Sequence, residues 1–251
     1  MSHWFEAPLA EIDLTSQQQA ELRQGVLTKP PGSLGQLERL AVKFAGWQSC
    51  VKPELISQKA SIVIFAADHG VAAEGVSAFP QAVTVEMVKN FARGGAAISV
   101  LAKQHGAALH VINAGTAHSV AQVEGVLDCS VAKGTANFVS QPAMTESQCR
   151  EALAIGQRVI NEVIADDTRL FIGGEMGIAN TTSATALCCA LLNLKADELV
   201  GAGTGLDSQA IIHKAEVITT ALEKHQPLTQ PLDVLCKVGG FEIAALAGAY
   251  I

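Results

Sequence analysis

Charged side chains are scarce in this sequence. Asp, Glu, Lys and Arg make up only 16% of the 251 residues, against about a quarter in an average globular chain. The 24 acidic residues outnumber the 17 basic ones, the net charge is −7, and the basic residues form no run. Nucleic acids and anionic membranes are bound by clustered Lys and Arg, so we expect neither as a partner.

Cysteine pairs and long apolar runs are also missing. The six cysteines are scattered, none forms a Cys-x-x-Cys pair, and Cys188 and Cys189 lie in an apolar segment that is typical of a core. We therefore expect no metal site and no disulfide framework. No uninterrupted apolar stretch reaches about 18 residues, and residues 1–11 lack the basic and apolar regions of a signal peptide. These absences predict a cytoplasmic protein.

Apolar runs and helical periodicities alternate along most of the chain. Residues 61–67 form a continuous apolar run, which is typical of a strand buried on both faces of a parallel sheet. The other strand candidates are 108–114 and 168–173, and the helix candidates of this region are 84–91, 96–104, 146–164, 181–192 and 208–222. The alternation predicts an α/β fold, a mostly parallel sheet with helices on both faces in a Rossmann-like three-layer arrangement.

Two helices are predicted before the first strand. Residues 16–27 read as a polar helix, Pro30 and Pro31 break it, and a second helix with apolar residues at helical spacing follows. Ser33 is the candidate N-cap of this second helix. We expect residues 1–55 to form part of a small helical subdomain and residues 56–251 to form the α/β domain.

The strongest local signal is the segment 174–183, which follows the third predicted strand. Glycines let backbone N–H groups approach a ligand, and a helix start adds free N–H donors and the positive end of a dipole. The candidate ligand contacts are Gly174, Gly177, Asn180, Thr181, Thr182 and Ser183. The segment suits a phosphate, although an ordinary capped helix after a tight turn has the same pattern. It is neither a Walker A loop nor G-x-G-x-x-G, so a dinucleotide-dependent oxidoreductase has no support.

A second glycine cluster precedes the last of these helices. Gly203, Thr204 and Gly205 would form another backbone site for an anion. Asp207 is better explained as an N-cap than as a ligand contact. Lys214 can reach an anion from the following helix, or it can be a solvated surface lysine.

Two further features lie beside predicted strands and helices. Asp68, His69 and Gly70 follow the first strand, at the sheet edge where ligands of parallel sheets bind, and we favour loop ordering over catalysis for His69. Phe79 and Met87 can line a flat apolar slot for an aromatic ligand, but from these residues alone we prefer ordinary core packing.

Several segments, in their order along the chain, resemble one family. They are 29–38 (KPPGSLGQLE), 67–71 (ADHGV), 74–81 (EGVSAFPQ), 94–98 (GGAAI), 174–183, 203–207 (GTGLD) and 238–244 (VGGFEIA). This combination closely resembles the nicotinate-nucleotide–dimethylbenzimidazole phosphoribosyltransferase family over nearly the whole chain.

The resemblance implies a reaction and a site. Nicotinate mononucleotide and 5,6-dimethylbenzimidazole would give α-ribazole 5′-phosphate and nicotinate, which prepares the lower ligand of cobalamin. Family members are homodimers that combine a parallel-sheet domain with a small helical domain from both chain ends, and they need no cofactor. Residues 174–183 and 203–205 would hold the ribose phosphate near Lys214. Phe79, Met87 and Met176 would surround the aromatic base.

The resemblance also implies what is missing. Attack by the benzimidazole releases its N–H proton, so a carboxylate must act as general base. In the family this base is a glutamate in a Gly-Glu-Gly-type segment beyond residues 238–244, and this sequence ends first. We expect a C-terminally shortened member in which Glu175 assists, or else a non-catalytic homologue that binds an aromatic base or nucleotide. The chain also departs from the family pattern at Ala67, Ala179, Ala202 and Asn113.

Overall fold

The structure is a computed structural model that describes residues 4–53, 59–165 and 167–251. It divides the chain into two compact units, Met1–Ile56 and Ser57–Ile251. Within the described ranges, we find no helix with the length and apolar character needed to cross a membrane.

The first unit contains a 3₁₀ turn, Trp4–Glu6, and the helices α1, Leu14–Val26, and α2, Gln36–Trp47. The carboxylate of Asp13 caps α1, because it accepts hydrogen bonds from the backbone N–H and the hydroxyl of Ser16. The prediction that Ser33 caps α2 was wrong. The helix starts after Gly35, whose φ of 56° suits glycine, and the Glu38 carboxylate accepts from the Leu34 N–H.

The second unit is built on a parallel sheet. Its described strands are β1, Ala60–Ala67; β2, Ala108–Gly115; β3, Val126–Asp128; and β4, Leu170–Met176. They lie in the order β3-β2-β1-β4, and every pairing is parallel. All eight residues of β1 are buried, as the apolar run predicts for a central strand. The sequence analysis missed β3, because three residues with mostly exposed side chains leave no apolar pattern.

Helices complete the second unit, together with a 3₁₀ turn at Gly70–Glu74. They are α3, Ala82–Ala92; α4, Ala97–His105; α5, Glu146–Ala165; α6, Asn180–Leu192; α7, Ala196–Leu199; α8, Ser208–Lys224; α9, Pro231–Val238; and α10, Phe241–Tyr250. The helix predictions are confirmed to within a few residues, whereas α7 and α9, of four and eight residues, were not predicted.

The two faces of β1 carry separate layers. Ile62 and Ile64 pack with Val85 and Val88 of α3. The opposite face of the sheet lies under α10. The helix packs closely there, because a Cβ added to Gly173 of β4 would stand only 2.4 Å from a methyl carbon of Leu246. Helices therefore cover both faces of the sheet, which confirms the predicted fold class.

The helices α5 and α10 approach each other through glycines. A Cβ on Gly156 would lie 1.8 Å from the carbonyl oxygen of Ala245, and one on Gly248 would lie 2.1 Å from that of Leu153. Real side chains do not tolerate such separations, so the two backbones can pack at this distance only because both positions are glycine. This contact sets the position of α10 and of the carboxylate that its first turn carries.

The end of β4 differs from the prediction. The sequence placed the end of this strand at Gly173, with Gly174 and Glu175 in a loop. In the structure β4 runs to Met176, and Gly174 lies opposite Ile64 in the ladder with β1. The turn into α6 therefore consists of Gly177, Ile178 and Ala179, and Gly174 is a strand residue.

Candidate functional site

The buried carboxylate of Asp68 organises the carboxyl edge of the sheet. Its side chain is fully buried, with one oxygen accepting a 2.6 Å hydrogen bond from the Thr84 hydroxyl and the other a 2.8 Å bond from the Ala117 N–H. The Thr84 oxygen in turn accepts from the N–H of Ile178. Burial raises the pKa of Asp68, and the two hydrogen bonds oppose that change. The network fixes the turn from β4 to α6 against β1 and α3.

Lys214 is the most informative residue of the site. Its side chain is 1% exposed, which excludes the alternative of a solvated surface lysine. The ammonium donates a 2.6 Å hydrogen bond to the Thr181 hydroxyl, and burial lowers its pKa. In the part of the chain that the structure covers, no carboxylate forms an ion pair with it. A buried cation without a carboxylate partner among the described residues is suited to an anionic ligand.

The surroundings of Lys214 favour the same conclusion. Helix α6 starts without a side-chain cap. The N–H groups of Asn180 and Thr182 donate to the carbonyls of Gly177 and Ala179, and the positive end of the helix dipole faces this point. A Cβ on Gly203 would lie 3.0 Å from the Lys214 nitrogen and 2.9 Å from the Thr181 hydroxyl oxygen. Gly203 also has a φ of 53°, so a side chain is excluded by space and by conformation. We call the start of α6, Gly203 and Lys214 the anion cradle.

The second glycine cluster is joined to the loop that carries Phe79. The Thr204 hydroxyl accepts a 2.9 Å hydrogen bond from the Ala78 N–H and lies 3.1 Å from the Ser77 hydroxyl. The structure therefore uses Thr204 to tie the two loops together. Asp207 caps α8 by accepting from the Ala210 N–H, as predicted.

The three candidate residues for the aromatic base differ in their surroundings. Met87 and Met176 are partly buried and pack against the same apolar cluster between the sheet and α3, so the fold brings them to one face. Phe79 is 51% exposed and lies in the loop beside Thr204. The assignment of all three to a base-binding slot stays a prediction.

Two of the predicted hydroxyl contacts point to the interior. The Thr182 and Ser183 side chains are fully buried. The Ser183 hydroxyl donates to the carbonyl of Val238, so it joins α6 to α9, and the sequence had assigned it to a ligand. This correction follows from helical geometry, because consecutive residues of one helix cannot all face the same side.

Glu175 and Asn180 lie at the open side of the turn. The Asn180 amide donates to the Glu175 carboxylate. Part of the Glu175 side chain is exposed to solvent, yet local burial and then the charge of Glu242 raise its pKa, against the opposing effects of His69 and Asn180. Glu175 can therefore keep a proton at a higher pH than an ordinary glutamate.

The four departures from the family pattern are not equivalent. Ala67 lies fully buried in β1, and Ala202 is exposed. Ala179 has a φ of 73°, a left-handed conformation that costs an alanine about 1–2 kcal/mol. Asn113 is buried, accepts hydrogen bonds from the N–H groups of Gly115 and Thr116 at the end of β2, and donates a 2.9 Å bond to the Asp128 carboxylate.

Replacement of Asn113 by Asp should destabilise the protein at neutral pH. The new carboxylate would face Asp128 at hydrogen-bond distance, and like charges disfavour ionisation of both groups. We expect the free energy of unfolding to fall by about 1–2 kcal/mol at pH 7 and to recover as the pH drops and one carboxyl takes up a proton. Urea unfolding at several pH values measures this. The control is the double variant Asn113→Asp/Asp128→Asn, which restores one amide and one carboxylate. A double variant as unstable as Asn113→Asp would contradict the explanation.

Comparison with known proteins identifies the family. A family model described as a phosphoribosyltransferase matches residues 9–251. The chain belongs to this family. It is 54% identical over 250 residues to the nicotinate-nucleotide–dimethylbenzimidazole phosphoribosyltransferase of Xanthomonas axonopodis pv. citri (strain 306), covering 100% of this chain and 71% of that protein. The identity to the enzyme of the same name from Pseudomonas fluorescens (strain SBW25) is 53%, over 99% of this chain and 70% of that protein.

Solved structures agree with the family assignment. The crystal structure of CobT from Thermus thermophilus superposes with a TM-score of 0.87 at 44% sequence identity, over 94% of this chain and 70% of that one. A second crystal structure, of the nicotinate-nucleotide–dimethylbenzimidazole phosphoribosyltransferase from the same organism, gives a TM-score of 0.86 at 42% identity, over 95% of this chain and 70% of that one. The resemblance inferred from the motifs is confirmed.

Sequence reasoning missed two residues of this phosphoribosyltransferase site. Thr84 was read only as the start of a helix, and its contact with Asp68 depends on packing that the sequence does not show. Glu242 left a signal, because it is the single charged residue of the otherwise apolar α10, and an isolated charge in such a helix needs a buried partner. That partner is His69, at 2.6 Å.

A cavity of about 800 Å³ lies beside α9. It is lined by Thr135, Met144, Asp233, Cys236, Lys237, Phe241 and further residues of the same segments. None of the cradle residues lines it, and Lys237 is already bonded to Asp233 and to two carbonyl groups. The chemistry that suits an anion is therefore at the start of α6, on the open carboxyl edge of the sheet.

Proposed function

We propose that this chain transfers the phosphoribosyl group of nicotinate mononucleotide to 5,6-dimethylbenzimidazole. The products would be nicotinate and α-ribazole 5′-phosphate, the precursor of the lower ligand of cobalamin. The names of the relatives support this choice of substrates. The single observation that carries it is the buried Lys214 ammonium against Thr181, at the uncapped start of α6.

We assign separate tasks to the parts of the site. Lys214 and the Gly203 loop would hold the 5′-phosphate by charge-assisted hydrogen bonds, and the positive dipole end of α6 would favour its charge. Met87 and Met176, with Phe79 on its loop, would contact the flat base through apolar surface. Glycosyl transfer then needs the base nitrogen in line with the anomeric carbon, and holding both partners supplies much of the rate enhancement.

The benzimidazole proton requires an acceptor. We assign Glu175 an assisting role, because its carboxyl lies beside the cradle and its pKa is raised by burial and by Glu242. A raised pKa brings a carboxyl closer to the range in which it can exchange protons at neutral pH. Its bond with Asn180 also places it next to the first residue of α6.

We propose further that the protein is a cytoplasmic homodimer and that residues 1–55 belong to a small helical domain. Exposed apolar side chains near the end of α6 and on α7 and α8 support the dimer. They are Leu191, Leu192, Leu199 and Ile212.

The proposal is tested by product analysis. The protein is incubated with nicotinate mononucleotide and 5,6-dimethylbenzimidazole, and chromatography measures free nicotinate and α-ribazole 5′-phosphate. We expect equimolar release of both and no nicotinate when the benzimidazole is omitted. Binding of both compounds by calorimetry without any nicotinate release would overturn the transferase and support a homologue that only binds the base or the nucleotide.

A further inference from the structure

Three segments of the family pattern meet at one buried imidazole. The His69 ring is fully buried. A Cβ on Gly177 would stand 3.3 Å from its Cδ2 and Nε2 atoms, and a Cβ on Gly240 would stand 2.3 Å from its Cε1 atom. The ring therefore occupies the space between the turn that follows β4 and the residue that precedes α10. A side chain at Gly240 would displace the ring, whereas one at Gly177 would first meet the carbonyl oxygen of Ala67, at 2.3 Å.

Glu242 holds this ring through a buried ion pair. The Nε2 atom of His69 lies 2.6 Å from Oε1 of Glu242, and both side chains are fully buried. Glu242 is in the first turn of α10, where the helix dipole favours a negative charge. The other polar atoms of the pair, Nδ1 and Oε2, form no hydrogen bond with the described residues.

The environment favours the charged form of the imidazole. Desolvation alone would lower the pKa of His69, but the charge and hydrogen bond of Glu242 outweigh it and raise the pKa, with smaller contributions from Asp68 and Glu175. The carboxyls that face the ring thus come from α10, from the end of β1 and from β4. His118 lies close enough to Asp68 to lower the pKa of that carboxyl.

A buried charged pair contributes less to folding stability than its close contact suggests. Removal of two ions from water opposes folding, and a well-packed apolar pair of equal volume is often as stable or more stable. Packing alone therefore does not account for a charged pair here. The turn of Gly177, Ile178 and Ala179 borders the ring and leads directly into the anion cradle, where a positive charge would favour the ligand.

We propose that His69 and Glu242 are a charged positioning pair for the anion cradle. Glu242 keeps the imidazole charged and fixed between Gly177 and Gly240, and the imidazolium holds the turn into α6 and contributes positive potential beneath it. This role rests on the proposed function, since it requires an anion at the start of α6. Neither residue touches the reacting atoms.

The test compares wild type with Glu242→Gln, using sulfate as the probe because its charge does not change in the range studied. Glutamine can still accept a hydrogen bond from a neutral imidazole, so the shape of the contact is retained. We expect wild type to bind sulfate about fivefold tighter at about pH 6.5. This advantage should be lost as the pH rises through the raised pKa of His69, because the imidazolium of wild type then loses its proton. Calorimetry measures both affinities across this range.

The control is Glu223→Gln, which removes the same charge from an exposed position on α8 and should leave the affinity for sulfate unchanged. A ratio of affinities that stays constant with pH would mean a structural contact only and would overturn the proposal. Equal affinities at every pH would do the same. If wild type did not bind sulfate, the anion cradle itself would be contradicted, and so would the proposed function.

Wild type alone provides a second measurement, should the variant fail to fold. Anion binding and protonation of His69 must be linked reciprocally if the imidazolium favours the anion. Nitrogen-15 spectra of the histidine rings should therefore show a higher titration midpoint for His69 in saturating sulfate than without it. An unchanged midpoint would overturn the positioning role.

Discussion

Replacement of Lys214 by methionine should weaken the binding of nicotinate mononucleotide by about ten- to hundredfold, the range expected for loss of a hydrogen bond to a charged group. The ammonium is buried and donates to Thr181, so solvent screens its attraction for an anion only weakly. Stability should move in the opposite direction. Methionine fills a similar volume without the desolvation penalty that a buried ammonium carries, so the melting temperature should stay equal or rise. Calorimetry and thermal unfolding of the same samples measure the two effects.

The matched control is Lys224→Met, on the same helix but exposed. It should change the affinity by less than about twofold, since screened surface charges act weakly. A Lys214→Met protein that binds the nucleotide as tightly as wild type would remove the main support for the anion cradle. A large fall in melting temperature would show instead that Lys214 is needed for folding.

Replacement of Gly156 by alanine should destabilise the α/β unit by about 1–3 kcal/mol, the usual cost of overpacking. The added methyl group would stand 1.8 Å from the Ala245 carbonyl oxygen, so α10 must move away from α5. This displacement would also shift Glu242 relative to His69. The loss should appear although alanine is intrinsically the better helix former by about 1 kcal/mol. Urea unfolding, with fluorescence and circular dichroism as two probes, measures the free energy of unfolding.

Gly25→Ala provides the comparison. Gly25 lies within α1, and no heavy atom lies within 4 Å of a Cβ built there. The same substitution at this position should therefore stabilise α1, by up to about 1 kcal/mol. If the two variants were equally stable, the close approach of α5 and α10 would not explain the glycine at position 156.

Sequence reasoning succeeded where local physical chemistry is sufficient. The buried run 61–67, the amphipathic pattern of α5 and the cap at Asp207 each depend on neighbouring residues, and each is found where it was predicted. It failed where an element is too short to leave a pattern, as in β3, or where strand pairing overrides a local signal. The glycine pair at 173 and 174 indicated the end of the strand, but pairing with β1 keeps Gly174 within it.

The candidate site shows the same division. The glycine clusters and Lys214 were found from the sequence, because a glycine-rich helix start beside a lysine suits an anion wherever it occurs. Their environments could not be found in that way. Whether Lys214 is solvated or buried, and whether the Ser183 hydroxyl faces a ligand or the Val238 carbonyl, depends on which helices pack against α6 and α8.

By itself the sequence determined the family, the parallel α/β fold and the segments that form its carboxyl edge, since these follow from hydrophobic periodicity and from motifs of neighbouring residues. Only the tertiary structure decided which side chains meet there. His69 and Glu242 are 173 positions apart, and no local pattern encodes a contact over that distance. Their pairing, and the burial that shifts the pKa values around it, arise when the sheet and the helices pack together.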